Sequence, residues 1–252
     1  MNLNKLLNAL TTSLLIALAN LSQAGELTSL NYVTESYPPY NFKDGGKLQG
    51  IAVDLLSAAS QAAGDPVNAS EIKVLPWPRA YKMASDGPNT VLFSTTRTEQ
   101  REPLFQWVGP ITATRVVLLA RKGGGIQINS EADIKKFSIG AIRDDIGEQL
   151  VKAAGVPDSS IKKIPSADSL AKMLNIGRID LWAYEENVAR WFIKQGGFNN
   201  ADFETVYVLK ESDLYYTFSK DIPQQKVDAL QGGIDAIRNN NEQYQAIINK
   251  YL

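Results

Sequence analysis

The chain has 252 residues, 26 basic and 27 acidic side chains, a formal net charge of −1, and neither Cys nor His. Near-zero charge leaves no strongly basic face to neutralise nucleic-acid phosphates. Without Cys or His there can be no thiol nucleophile, serine–histidine pair, imidazole zinc site or disulfide. Any acid–base work falls to Asp, Glu, Lys or Tyr, and the length suits one large domain or two small ones.

The N-terminus, "MNLNKLLNALTTSLLIALANLSQAGELTS", sets Lys5 ahead of an apolar stretch, Leu14 to Leu18, and reaches Ser22-Gln23-Ala24. Small residues stand at the two positions a signal peptidase reads. Thr11, Thr12, Ser13 and Asn20 interrupt the apolar run, which is shorter than the roughly 20 residues of a bilayer span. A cleaved signal peptide over residues 1–24 is expected, and with it a soluble protein in the periplasm. No Cys follows that site to carry a lipid.

From Leu30, short β-rich runs alternate with longer helical ones, the signature of an α/β fold. "LNYVTESYPPYNF" reads as a strand ending in a Pro-rich turn. "GIAVDLLSAASQAAG" reads as a helix, with Ile51, Leu55, Leu56 and Ala59 at helical spacing and Gly64 as its stop. "EIKVLPW" is a second strand, and "PRAYKMASDG" a short helix with Pro78 in its first turn, where a missing N–H does no harm. "TVLFS" and "RVVLLAR" are further strands.

After "KGGG" the rhythm restarts: strand "FSIGAIR", helix "IGEQLVKAAG", strand "IKKIP", helix "SADSLAKMLNIG", strand "RIDLWAY", helix "EENVARWFIKQGG" and strand "FETVYVLK". One more strand, around "LYYTF", and two amphipathic helices close the chain. "KGGG" lacks the Lys-Ser/Thr that follows a phosphate loop and reads as a flexible turn. The doubled rhythm predicts two lobes, the second inserted in the first: residues 25–114 and 212–252 for lobe 1, and 115–211 for lobe 2. Two lobes imply a cleft, where small ligands bind.

"FSTTRTEQREPLFQWVGPI" carries the clearest candidate chemistry. Ser94, Thr95 and Thr96 supply hydroxyls just after an apolar run, and Arg97 and Arg101 supply planar cations. A guanidinium binds a carboxylate with two parallel hydrogen bonds. The alternative for Arg101 is a surface ion pair with Glu99 or Glu102. Glu185 and Glu186 both stand where a helix first turn favours acids.

Four segments, "ESYPPYNF" with "GKLQGIAVDLL", "STTRTEQR", "GRIDLWAYEE", and "YTFSKDIPQQ" with "YQAIINKYL", occur in an order that resembles the periplasmic solute-binding proteins for polar amino acids, solute-binding family 3. The resemblance spans almost all of the chain after residue 24. It implies a two-lobe periplasmic-binding-protein-like α/β fold of type II, joined by a hinge of two crossing strands. It puts a ligand-carboxylate arginine at Arg101, hydroxyl contacts at Ser94 and Thr96, an aromatic lid at Tyr37, an aromatic wall at Trp77, and an acid for an α-amino group at Glu185. Arg97 joins them as an extra cation beside Arg101, and Arg79 is a further cation in a first helical turn.

The chain departs from the family pattern at "IRDDIGEQ", where Asp144 and Asp145 replace the usual Gly-Thr pair at a helix N-terminus, and at Glu185, which replaces the commoner Asp. The resemblance implies an amino acid or other small carboxylate as ligand and an ABC permease as membrane partner; the chain reads as a monomer, with no residue pattern that requires a metal or cofactor. Two alternatives stay open: a dehydratase-like enzyme using Glu185 as general acid, and a sensory module read by a membrane receptor.

Overall fold

Thr90–Thr96 is buried along its whole length, and Val116–Ala120 is too. Such runs, apolar on both faces, are what a sheet covered by helices on each side requires. The computed structural model describes residues 27–252. The expected signal peptide lies outside the described residues.

The first lobe begins with β1 (Asn31–Thr34), the hairpin β2 (Phe42–Asp44) and β3 (Lys47–Gln49), and helix α1 (Ile51–Ala62). β4 (Lys73–Val74), α2 (Trp77–Asp86), β5 (Thr90–Thr96) and β6 (Gln106–Val108) follow. The second lobe comprises β7 (Ala113–Arg121), α3 (Glu131–Ile134), β8 (Ile139–Ile142), α4 (Ile146–Ala153), β9 (Ile161–Ile164), α5 (Ala167–Asn175), β10 (Leu181–Glu185) and α6 (Glu186–Gln195). A 16-residue strand, β11 (Phe203–Phe218), returns the chain to the first lobe. There α7 (Gln224–Asn239) and α8 (Asn241–Asn249) pack on α1, tied by Lys250 and the Tyr251 hydroxyl to Asp54.

The strand order is β4-β1-β5-β11-β7-β10-β8-β9, with β6 also on β11. β11 serves both lobes. Residues 203–213 pair antiparallel with β7, and residues 214–218 pair with β5 and β6. The two chain crossings lie side by side, where Ile111 donates to Leu214 at 2.7 Å and Leu214 donates to Thr112 at 2.9 Å. This is the expected α/β, two-lobe architecture with its two crossing strands.

The sequence separates the strand "FETVYVLK" from the one around "LYYTF", with the polar Glu211-Ser212-Asp213 between them. The structure continues the strand through those residues. They lie at the crossing between lobes, outside either core, so polar side chains there leave the backbone ladder intact. No described helix is long and apolar enough to cross a membrane.

Candidate functional site

The turn after β1 is built around Tyr37 and Asn41, which exchange backbone hydrogen bonds at 2.6 and 3.0 Å. The Asn41 side-chain amide donates to the Glu35 carbonyl at 2.8 Å, and its oxygen accepts from the Ser94 hydroxyl. Gly50 makes this turn possible. It opens α1 with φ +128°, and a Cβ there would run into the Tyr40 carbonyl. Ser94 is the extra residue of a bulge, since Phe93 and Thr95 pair with the consecutive residues Tyr216 and Tyr215 of β11. Its φ of +62° turns the end of β5 toward Asn41.

That end of β5 delivers Arg101 into the interior. Its side chain is 1% exposed, and the guanidinium carbon lies 5.4 Å from the Trp77 ring centroid and 5.2 Å from that of Tyr81. Nη1 donates to the Thr96 carbonyl at 3.3 Å and Nη2 to the Asp144 carbonyl at 3.4 Å. Aromatic faces and carbonyls replace part of the lost water. Burial still holds the Arg101 pKa below its ordinary value, against the opposing pull of Asp145.

The Asp144 carbonyl belongs to the second lobe, and it also accepts from Trp77 Nε1 at 3.0 Å. Asp144 has φ +61°, which aims this carbonyl at the first lobe, and its N–H is held by Glu148 Oε2 at 2.7 Å. Asp145, at the N-terminus of α4, is 3% exposed. The N–H groups of Ile146 and Gly147 stabilise its carboxylate, yet burial raises its pKa, with Arg101 opposing. Gly147 lets α4 lie this close to β10, because a Cβ there would overlap the Ala183 carbonyl.

Two further carboxyl groups share the seam. Glu35 is buried, and burial together with the charge of Asp145 pushes its pKa well above the usual carboxylate range, Arg101 opposing. Glu185 ends β10 and caps α6, accepting from Val188 N at 2.8 Å and from the Tyr40 hydroxyl at 2.9 Å. Burial raises its pKa to about 7 despite those hydrogen bonds. Tyr37 lies among these groups, 5.6 Å and nearly perpendicular to Tyr184 of the second lobe. Its phenol is pushed upward by burial and then by Asp145, Glu185, Tyr184 and Glu35.

A cavity of about 350 Å³ opens beside this cluster, lined from both lobes. Glu35 and Trp77 line it from the first lobe, and Asp168, Tyr184 and Phe192 from the second. Its charged lining residues are both acids.

A sequence profile of the bacterial extracellular solute-binding proteins, family 3, matches residues 30–252. The chain belongs to that family. It is 23% identical over 177 residues to the arginine-binding extracellular protein ArtP of Bacillus subtilis (strain 168), covering 69% of this chain and 67% of ArtP. Its fold is similar to that of an ancestral arginine-binding protein bound to arginine, with TM-score 0.72, 24% identity, and 88% and 97% of the two chains covered. It is also similar to a histidine kinase sensor domain that resembles periplasmic binding proteins, with TM-score 0.77, 20% identity, and 88% and 96% covered.

Within this solute-binding protein, Arg101, Trp77 and Tyr37 come together at the lobe seam, and Glu185 reaches it through Tyr40. Thr96 contributes its carbonyl to Arg101, and the Ser94 hydroxyl is taken by Asn41. Arg97 lies elsewhere: it forms a bidentate pair with Glu102 at 2.7 and 2.6 Å and faces the rings of Trp107 and Tyr215. Arg79 is exposed. Sequence reading passes over Glu35, Tyr40, Tyr81 and Tyr184. A buried acid one residue past a strand looks like any turn acid, and no spacing rule brings Tyr81 of α2 beside Arg101. Asp145 is visible as a departure from the family pattern, but its direction is not.

Proposed function

We propose that this protein captures a small, positively charged solute of amino-acid type between its lobes and delivers it to an ABC permease. One observation carries this reading. Buried Glu35 and Arg101 of the first lobe and Asp145 and Glu185 of the second meet at one seam, beside a two-lobe cavity whose charged lining is acidic. A cation there gains from carboxylates and aromatic faces in a site shielded from water. The arginine-binding relatives support the same ligand charge.

In this reading the chain is exported after loss of residues 1–24, residues 25–114 and 212–252 form one arm, and residues 115–211 form the other. The arms close about the crossing strands, and the ligand shifts that equilibrium only by preferring the closed form. Trp77, Tyr37 and Arg101 act from one arm and Glu185 from the other, with no chemical turnover. A second reading, ligand sensing for a membrane receptor, draws on the fold shared with the histidine kinase sensor domain.

The test is a thermal-shift and calorimetric screen of the purified protein against cationic, neutral and acidic amino acids and related amines, with Arg101→Ala in parallel. The reading expects cationic compounds to raise the melting temperature, and for those that also carry a carboxylate the rise to vanish in the variant, which removes that group's counter-charge. Stabilisation by acidic compounds alone would overturn it. Loss of solute uptake on deleting the gene supports transport, whereas unchanged uptake with a lost transcriptional response supports sensing.

A further inference from the structure

We infer that the solute this cleft selects is a small organic cation, an amine or guanidine, that carries no carboxylate. The inference rests on the solute-binding reading above and narrows its ligand class. Asp145 provides the reason. An α-amino acid brings its own carboxylate, which needs a cation and free N–H donors. Here Arg101 is the buried cation, and the N-terminus of α4 offers the donors. Both already face a carboxyl that belongs to the chain, because Asp145 is buried at that helix N-terminus and Arg101 donates to the carbonyl of the adjacent Asp144 at 3.4 Å.

The charge count points the same way. Three buried carboxyl groups, Glu35, Asp145 and Glu185, share the seam with one buried guanidinium, so a further carboxylate would meet an excess of acids whose ionised forms burial already disfavours. A bare cation would relieve that excess. The site also holds unused acceptors. Among the described residues, Oδ2 of Asp145 has no hydrogen-bond partner, and none is formed to the Glu35 carboxylate, which lines the cavity. Nε of Arg101 is unpartnered as well, but it lies within the field of Asp145 and beside the rings of Trp77 and Tyr81. The cavity wall adds aromatic faces at Trp77, Tyr184 and Phe192, which favour ammonium and guanidinium groups over carboxylate.

The experiment titrates the purified protein with matched pairs differing only by the carboxylate: agmatine against arginine, putrescine against ornithine, and cadaverine against lysine. Isothermal calorimetry is expected to show at least one carboxylate-free member binding about tenfold or more tighter than its parent. Asp145→Ser frees the helix terminus, and Asp145→Asn removes the charge while keeping the shape. Each is expected to shrink that ratio to about threefold or less, with Asp145→Asn deciding if the serine variant does not fold. A parent amino acid that binds the wild type as tightly as its amine overturns this inference and leaves the solute-binding reading standing. Equal weakening of both members in the Asp145 variants overturns it too, because Asp145 then does not select. Silence from all three pairs overturns both readings.

Discussion

Tyr40 of the first lobe donates its phenolic O–H to Glu185 of the second at 2.9 Å, so a carboxyl whose burial lifts its pKa to about 7 is bound across the seam. The native protein then keeps this proton up to about pH 7, while an unfolded chain releases it near its ordinary value of 4.5. Between those values the folded state binds more protons. The stability Glu185 contributes is therefore full below pH 4.5 and is lost as pH rises through about 7. Melting curves of wild type and Glu185→Gln are expected to diverge over that window, the wild type falling relative to the variant. Parallel curves would remove the assignment. In Tyr40→Phe the carboxylate loses a hydrogen bond of about 1.5–3 kcal/mol, and the decline should extend to higher pH.

Arg101 and Arg97 stand four residues apart and differ in environment. Arg101→Ala leaves buried carboxyl groups without their counter-charge, and a loss of about 3–5 kcal/mol in urea unfolding is expected. Arg97→Ala breaks an exposed pair with Glu102, and the expected cost is about 0–1 kcal/mol with affinity unchanged. Equal effects from the two variants would show that the seam has been misread.

Gly147→Ala tests how the second lobe positions its part of the site. The added Cβ overlaps the Ala183 carbonyl, so α4 must lift from β10 and carry Asp144 and Asp145 with it. The expected cost is about 1–3 kcal/mol in stability. Ligand affinity should fall as well, since the Asp144 carbonyl would no longer meet Trp77 and Arg101. A variant with wild-type affinity would show that the α4 terminus does not act in binding.

Glu35 makes cation binding depend on pH. Its carboxyl is held high by burial and by Asp145, with Arg101 opposing, and Tyr37 and Tyr184 face the same space. A bound cation favours the ionised form, so binding releases a proton. Affinity should therefore rise with pH, by at most about tenfold per unit for each proton released, and level off above the raised pKa. Calorimetry in buffers of different ionisation enthalpy measures the proton directly. Glu35→Gln should flatten the profile, and a wild-type profile already flat would exclude Glu35 from the site.

The α/β class, the two-lobe organisation, and most helices and strands were legible because hydrophobic period and turn residues are local properties. Arg101 was legible for a similar reason: a hydroxyl-rich segment ending in arginine is a compact motif. Which arginine turns inward was not. Arg97 has Glu102 and the rings of Trp107 and Tyr215 within reach, while Arg101 is carried past them to the rings of Trp77 and Tyr81. That choice follows from the path of the chain after β5. The polar Glu211-Ser212-Asp213 misled in the same way, since a strand passing between two cores has no apolar period to show.

Local sequence thus determined the element types, their order and the family pattern, because each depends on residues a few positions apart. The tertiary structure decided the chemistry of the seam. Glu35, Tyr40, Arg101, Asp145 and Glu185 are spread over about 150 residues, and only closure of two lobes around shared strands brings them together. Their burial sets their charges, and burial is a property of the whole fold.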